Sequence, residues 1–299
     1  MDKIFCEAEQ VFTIHGIQEG FRNDGRGLED FRPLRLETGV LNHTSGSARI
    51  RLGNTDILVG IKAEIEPPLD ETPEEGRIQF FVDCSANAAP EFEGRGGEDI
   101  AQSVSSSLQA AYANKLALDL RKLCLVPNTY CWVLYVDIVL LECGGNLLDV
   151  SSLAVKAALY NIRVPNVKVL YNAEKEESDI ELTDDHFDYW RLNVASGVPI
   201  LVTVCKIGHC NLVDPLMEEE SCCRAGAVVG VAGGAGRDVD NGGVQLCLLR
   251  QQGRGSLDPD SLQQMADLGL RVGRSLNAAL LDKLVGEEAA DRGSKGFLL

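Results

Sequence analysis

Apolar and polar positions along the chain change period several times, and each change marks an element. Residues 2–20 place Ile4, Ala8, Val11 and His15 at intervals of three to four, which predicts an amphipathic helix. His15 lies on that stripe with no partner acid or nucleophile suggested nearby, so it reads as a packed histidine rather than a catalytic one. A turn-rich link, "RNDGRGLEDFRP", follows. In "SARIRL" the apolar Ala48, Ile50 and Leu52 alternate with Arg49 and Arg51, the pattern of a strand with one wet face. The turn "GNT" and the run "DILVGIKAEI" complete a hairpin. After an acidic, proline-bearing loop over 66–76, "RIQFFVDCSA" predicts a third strand. The charged loop "PEFEGRGGEDI" then leads into a helix over about 98–115, with Ile100, Val104, Leu108 and Ala111 on one side. "YCWVLYVDIVLLE" reads as a long buried strand. It runs through a double glycine into another helix, whose stripe is Leu153, Ala157 and Tyr160.

The second half repeats this order. "PILVTVCKI" and "HCNLVDP" predict a hairpin, "AGAVVGVAGG" and "GGVQLCLLRQQ" two further strands. The last element is a long helix with Asp258 as N-cap, Pro259 in its first turn, and a stripe of Leu262, Met265, Val272, Leu276 and Leu280. Between the halves, "YNAEKEESDIELTDDHFDYW" is acidic and poor in apolar residues until its end, as a connector would be. The pattern predicts an α+β chain of two related lobes, each a sheet packed by helices. The expected divisions are an N-terminal helix and link (1–30), a first lobe (31–170), an acidic connector (171–194), a second lobe (195–285) and a mobile tail (286–299). "GAVVGVAGGAGRDVDNGG" resembles a glycine-rich nucleotide loop, but no Gly-Lys-Ser/Thr follows. "DVDNGG" reads instead as a hairpin turn.

Composition narrows the classes. At 299 residues the chain accommodates two lobes, and 24% charged with 45% hydrophobic residues is ordinary for a globular protein. The run Cys131–Leu141 is broken by Asp137 and too short to span a bilayer, and the opening residues lack a secretory pattern, which together predict an intracellular chain. Ten cysteines are therefore expected as free thiols. The sharpest metal candidate, Cys205, His209, Cys210, Cys222 and Cys223, lacks paired Cys-x-x-Cys spacing, so neither a metal nor a cofactor is expected. A net charge of −17 repels polyanions at long range. Any nucleic-acid contact is then expected through a local patch, within an assembly whose other members supply positive charge.

The strand–glycine–helix segment "LLECGGNLLDVSSLAVKAALYNIRVP" (140–165) has the form of a phosphate cradle. Glycines allow close backbone approach, and free N–H groups at the helix start point at an anion.

Taken together, "RNDGRGLEDFRP", "SGSARIRLGNTDILVGIKAEI", "FFVDCSANAAPEFEGRGGED", "CWVLYVDIVLLECGGNLLDVSSLAVKAAL" and "LVDPLMEEE" resemble the RNase PH-like subunits of the RNA exosome ring. The resemblance runs from about residue 5 to residue 284. It implies the RNase PH fold and a ring of such subunits around an RNA channel. Its implied partners are S1- and KH-domain cap proteins and separate hydrolytic nucleases, and its implied location is nucleus, nucleolus and cytoplasm. Active members attack the RNA 3′ linkage with inorganic phosphate, which needs hydroxyl and guanidinium donors for the anion and an acid for the leaving oxygen. They carry Gly-Gly-Thr/Ser-Arg at the turn; here it reads Gly144, Gly145, Asn146, Leu147. A leucine where the phosphate-clamping arginine belongs implies a non-catalytic subunit that supports 3′-to-5′ RNA processing. The alternatives are an active phosphate-dependent 3′-exoribonuclease and, without spacing evidence, an enzyme built on the cysteine/histidine cluster. Asp184, Asp185 and Asp188 match the position of an acidic motif in active relatives, but read as a solvated connector. Asp214, Glu218, Glu219 and Glu220 match non-catalytic ring members and are expected to be structural or interfacial. Arg95 is the expected RNA contact, while Ser106 and Gln109 stand where some relatives have arginines.

Overall fold

The computed structural model describes residues 6–113, 117–172, 177–182, 188–192, 194, 197–233 and 244–294. The first helix, α1 (Glu7–Gln18), turns a different face inward from the one its spacing suggested. Thr13 and Ile17 are buried, whereas Val11 is 51% exposed and His15 is exposed. Ile14 and Ile17 pack with Ile207 and Leu212 of the second lobe, and this distant contact, not local periodicity, sets the face. Ile4 lies outside the described residues.

The chain then lays down β1 (Leu34–Thr38), β2 (Gly46–Leu52) and β3 (Thr55–Glu66) as an antiparallel meander, β1 being a strand that the pattern did not predict. The alternation in β2 is realised: Ala48, Ile50 and Leu52 are fully buried, and Arg49 and Arg51 face the solvent side. β4 (Arg77–Cys84) leads through α2 (Glu98–Tyr112) and the short β5 (Cys124–Val126) to β6 (Tyr130–Glu142). β4 and β6 pair in parallel, the crossover helix being α2, and β6 pairs antiparallel with β3. The sheet order is β1-β2-β3-β6-β4, with β5 on β6. Val104, Leu108 and Ala111 of α2 are buried against it, with Ile100 partly so.

From β6 the glycine turn opens α3 (Leu147–Tyr160). The expected single stripe is corrected here, because every residue from Asp149 to Leu159 is buried. α3 packs against β2 and β3 on one side and against the second sheet on the other, so it has no wet face. Next come β7 (Val164–Pro165), β8 (Val167–Asn172), β9 (Glu177–Leu182) and β10 (Tyr189–Trp190). The expected connector thus carries an antiparallel β8–β9 hairpin and a β7–β10 pair. Val169, Leu170 and Tyr171 pair with Ile180, Asp179 and Ser178, and the acids sit among strand formers rather than in open coil.

The second sheet is formed by β11 (Ile200–Ile207), β12 (Cys210–Val213), β13 (Ala225–Ala232) and β14 (Gln245–Gly253), with α4 (Met217–Cys222) between β12 and β13. Its order is β12-β11-β13-β14, antiparallel throughout. The expected "DVDNGG" turn lies outside the described residues, between the paired β13 and β14. β12 pairs only with Val204–Ile207, which leaves the earlier half of β11 without a strand on that side. Polar side chains of α3 take its place. Asp149 accepts from Thr203 N (2.8 Å) and Thr203 Oγ1 (2.7 Å), and Ser152 Oγ accepts from Leu201 N at 2.9 Å. This explains polar residues inside an otherwise apolar helix.

α5 (Pro259–Ser294) packs on β13 and β11 and buries Met265, Leu268 and Leu280. Asp258 caps it, accepting from Ser261 N at 3.2 Å. The tail expected to be mobile from residue 286 is instead helical through Ser294. Two glutamates anchor it: Thr38 Oγ1 donates to Glu287 at 2.9 Å, and Glu288 accepts from Tyr160 OH (3.2 Å) and Arg191 (2.8 Å). One contiguous apolar core runs from Leu36 to Leu284 through α3, so the two sheets share an interior.

Candidate functional site

Gly144 and Gly145 are required by close packing. A Cβ on Gly144 would lie 2.8 Å from Asn54 Cβ, and one on Gly145 would lie 2.6 Å from Met217 N. Gly145 also has φ +91°, and Asn146, with φ 58°, extends the left-handed stretch before α3 begins. The β2–β3 turn and the start of α4 press on the double glycine from either side.

Most polar groups of the turn are engaged within the chain, Asn146 Oδ1 being buried without a partner. Thr55 Oγ1 donates to Gly145 O at 2.7 Å, and Arg32 donates to Gly144 O (3.0 Å) and Gly145 O (3.2 Å). Asn146 N donates to Glu220 Oε1 at 2.7 Å, and its side-chain amide donates to Asp214 Oδ1 at 2.8 Å. Glu220 therefore places a carboxylate of this chain on a turn N–H group that an anion would need.

The link "RNDGRGLEDFRP" supplies three arginines that strap the turn to the second lobe. Arg22 forms a two-pronged pair with Glu219, at 2.9 Å and 2.7 Å, and donates to Val213 O and Asp214 O. Arg26 reaches Asp214 Oδ2 at 2.8 Å. Arg32 grips both Asp214 oxygens and donates its backbone N–H to Oδ2 as well. The side chains of Arg22 and Asp214 are 0% exposed. Burial alone would raise the Asp214 carboxyl, but the hydrogen bonds and charge of Arg32 outweigh it and hold the group below its ordinary value. Glu220 goes the other way: burial pushes it up to about 7, against the Asn146 N–H and the Arg32 charge. Asp149 is likewise pushed by burial to about 7, against its bonds from Thr203.

A cleft of about 1010 Å³ opens in front of the turn, between α2 and β14. Asn146, Leu147, Leu148 and Glu220 line it on the turn side, and Arg32 is not among its lining residues. Arg224, Arg250 and Arg254 line the second-lobe wall, where Arg250 crosses to Ser107 Oγ at 2.6 Å and Ser106 Oγ at 3.3 Å. The side of the turn that faces the cleft thus offers leucines and a carboxylate, a poor seat for phosphate.

Of the acids singled out in the second lobe, Asp214, Glu219 and Glu220 have these internal partners, and Glu218 meets Asn23 at 2.9 Å on the surface. Asp184 and Asp185 lie outside the described residues. Asp188 accepts from the side chain of Asn166, and its carbonyl from Asn166 N at 3.1 Å. Arg95 is 88% exposed and paired with Glu98 at 3.0 Å, away from the glycine turn's network. Gln109 donates to Ile78 O at 3.5 Å, and Ser106 to Ser103 O at 3.0 Å. Among the described residues, no group of three or more His, Cys, Asp or Glu side chains could hold a metal, and no helix is long and apolar enough to cross a membrane.

Comparison with known proteins places this architecture. Residues 30–165 match the family described as "3′ exoribonuclease family, domain 1", and residues 197–272 match its domain 2. A Dictyostelium discoideum protein described as "Putative exosome complex exonuclease RRP42" is 32% identical, over 96% of this chain and 99% of that relative. This chain belongs to the RNase PH family. Within it the chain resembles Rrp42-type exosome components, such as that of Thermococcus kodakarensis, 39% identical over 69% of this chain and 73% of the relative. The structure titled "archaeoglobus fulgidus exosome with RNA bound to the active site" superposes with a TM-score of 0.75 at 27% identity, covering 90% of this chain and 96% of that one. An archaeal exosome core gives 0.73 at 25% identity, over 92% and 96%. The RNase PH fold explains the two sheets and the buried α3. It leaves the internal occupation of the glycine turn to be explained by this chain's own side chains.

Proposed function

We propose that this RNase PH-family chain is a non-catalytic structural subunit of an exosome core ring, supporting 3′-to-5′ RNA processing and degradation, including ribosomal RNA maturation and messenger RNA turnover. The observation that carries the reading is Glu220 on the Asn146 N–H, with Leu147 beside it facing the cleft. A phosphate entering at the turn would meet a buried acid and an apolar side chain, with the Arg32 guanidinium already committed to Asp214 and two carbonyls and the cleft's other arginines, Arg224, Arg250 and Arg254, on the second-lobe wall.

The proposed partners are other RNase PH-like ring subunits, RNA threading their channel, S1/KH cap subunits and associated hydrolytic nucleases, in nucleus, nucleolus and cytoplasm. Apolar side chains at sheet edges support a ring role: Phe81 on β4 is 51% exposed, and Leu246 and Leu249 on β14 are 45% and 40% exposed. In this reading Arg95, on its exposed loop, is the RNA contact, at the cost of its surface pair with Glu98. Two measurements on the purified chain test the proposal. Co-purification followed by mass spectrometry is expected to recover ring subunits, and incubation with phosphate and labelled RNA is expected to release no nucleoside diphosphates. Phosphate-dependent release that Asp184→Asn plus Asp185→Asn abolishes would overturn it in favour of an active exoribonuclease.

A further inference from the structure

Two cysteines converge beside one glycine. Cys205 on β11 is the register partner of Gly226 on β13, and Cys223 follows the end of α4. A Cβ at Gly226 would lie in ordinary contact with both, 3.7 Å from Cys223 Sγ and 3.8 Å from Cys205 Cα, which places the two cysteines beside one position of β13. Each of the two thiols shifts the titration of the other. Cys205 is buried at 5% exposure, while Cys223 is half-buried and lines the cleft. Cys223 can therefore meet a small solute, from which Cys205 is largely shielded. We propose that Cys223 is a site of oxidation by hydroperoxides entering through the cleft, and that Cys205 resolves the product to an intramolecular disulfide.

The electrostatics suit that division of labour. The neighbouring Cys205 thiol holds Cys223 below the ordinary thiol value, aided by the backbone of Lys206 and Ala225 and opposed by burial and Glu220. The Cys223 thiol, with burial, pushes Cys205 well above it. The Ala225 carbonyl, 3.3 Å from Cys223 Sγ, offers an acceptor when Cys223 carries the proton. Cys222 points elsewhere, with its sulfur 3.8 Å from Gln10 O.

In the first step the Cys223 thiolate attacks the terminal oxygen of the hydroperoxide. An S–O bond forms, the O–O bond breaks, and the departing alkoxide or hydroxide takes up a proton; sulfur is oxidised to the sulfenic acid and the peroxide is reduced. In the second, the Cys205 sulfur attacks the Cys223 sulfur. The S–S bond forms, the S–O bond breaks, and hydroxide leaves with the Cys205 proton as water. The disulfide would fasten the end of α4, whose Glu219 and Glu220 hold Arg22 and Asn146, onto β11.

The test uses the full chain, reduced and then exposed to graded hydrogen peroxide, with non-reducing peptide mapping by mass spectrometry. The expected result is a dithiothreitol-reversible Cys205–Cys223 cross-link that forms about tenfold faster than oxidation of the exposed Cys6. In Cys205→Ser, a dimedone-reactive sulfenic acid should accumulate on Cys223. In Cys223→Ser, Cys205 should stay reduced. Thiol-tagging rates on the unmutated chain give the same ranking if either variant misfolds. Oxidation of Cys6 ahead of Cys223, or a Cys222–Cys223 link in place of the expected one, would overturn the proposal.

Discussion

Replacing Asp214 by asparagine keeps the size of the side chain and removes the charge at the centre of the arginine strap. The carboxylate accepts five hydrogen bonds: one from Arg26, three from Arg32 and one from Asn146. Its side chain is 0% exposed and that of Arg32 only 5%, so neither charge has water to fall back on. An asparagine would leave the Arg32 guanidinium buried without its counter-ion, which costs about 3–5 kcal/mol in comparable settings. That is a large share of the ~5–15 kcal/mol by which a folded domain is stable. In urea, at a slope near 3 kcal/mol/M, the midpoint should fall by about 1 M or more with the slope unchanged. Removing both charges, as Asp214→Leu with Arg32→Met, should cost less than the sum of the single changes, because the Arg32 charge is no longer left alone and Arg26, which loses Asp214, keeps its pair with Asp24. What persists is roughly 1 kcal/mol for each carbonyl that loses its Arg32 bond. The Asp214 carboxyl titrates below its unfolded value, so its stabilisation is complete above about pH 4 and fades as pH falls further. A cost for Asp214→Asn under about 1 kcal/mol, or additive costs in the double variant, would refute the strap as the element that fixes the turn.

Glu220 and Asp149 carry the opposite sign. Their folded values, about 7, lie above the ordinary 4.5 and 3.8, so the folded chain takes up protons first and stability should rise as pH falls from 8 towards 5. Glu220→Gln keeps an acceptor for the Asn146 N–H without the buried charge; it should stabilise the chain at pH 8 by on the order of 1–3 kcal/mol and flatten that slope, as denaturation at several pH values would show. Leu147→Arg alone should give no phosphorolysis, because Glu220 still holds the turn and grouped catalytic residues act as a unit; turnover in that variant would contradict this. The chain alone should be poorly soluble and self-associate through its exposed edge residues, whereas co-expression with a catalytic-type RNase PH-like subunit should yield a stable heterodimer by sedimentation. A well-behaved monomer that ignores every ring partner would count against it.

Local patterns made much of the fold legible. Period-two alternation over Ala48–Leu52 found β2, a long apolar run interrupted only by Asp137 found β6, and Asp258–Pro259 marked the start of α5. Errors arose where tertiary contact overrides local pattern. α1 turns inward the face that meets Ile207 and Leu212, and α3 is buried on all sides because two sheets close over it. Glu287 and Glu288 hold the end of α5 through partners about a hundred residues or more away, at Arg191, Tyr160 and Thr38. The candidate site divides the same way. Gly144–Leu147 could be seen in the sequence as a phosphate turn without its cation, but the side chains that hold it could not. Arg22 and Glu219 are 197 positions apart, and no local spacing ties a turn-rich link to the acids after β12. The one available signal was three arginines clustered in a short glycine- and aspartate-rich link, more charge than a plain turn needs.

Whether the glycine turn has lost its chemistry is tested most directly in an assembled ring in which every other RNase PH-like subunit and every hydrolytic nuclease carries an inactivating substitution. With labelled RNA and inorganic phosphate, release of nucleoside diphosphates then reports on this chain alone, with its neighbours in place. Silence at all phosphate concentrations is the predicted result. Phosphate-dependent release, lost again on Asp184→Asn plus Asp185→Asn, would contradict it.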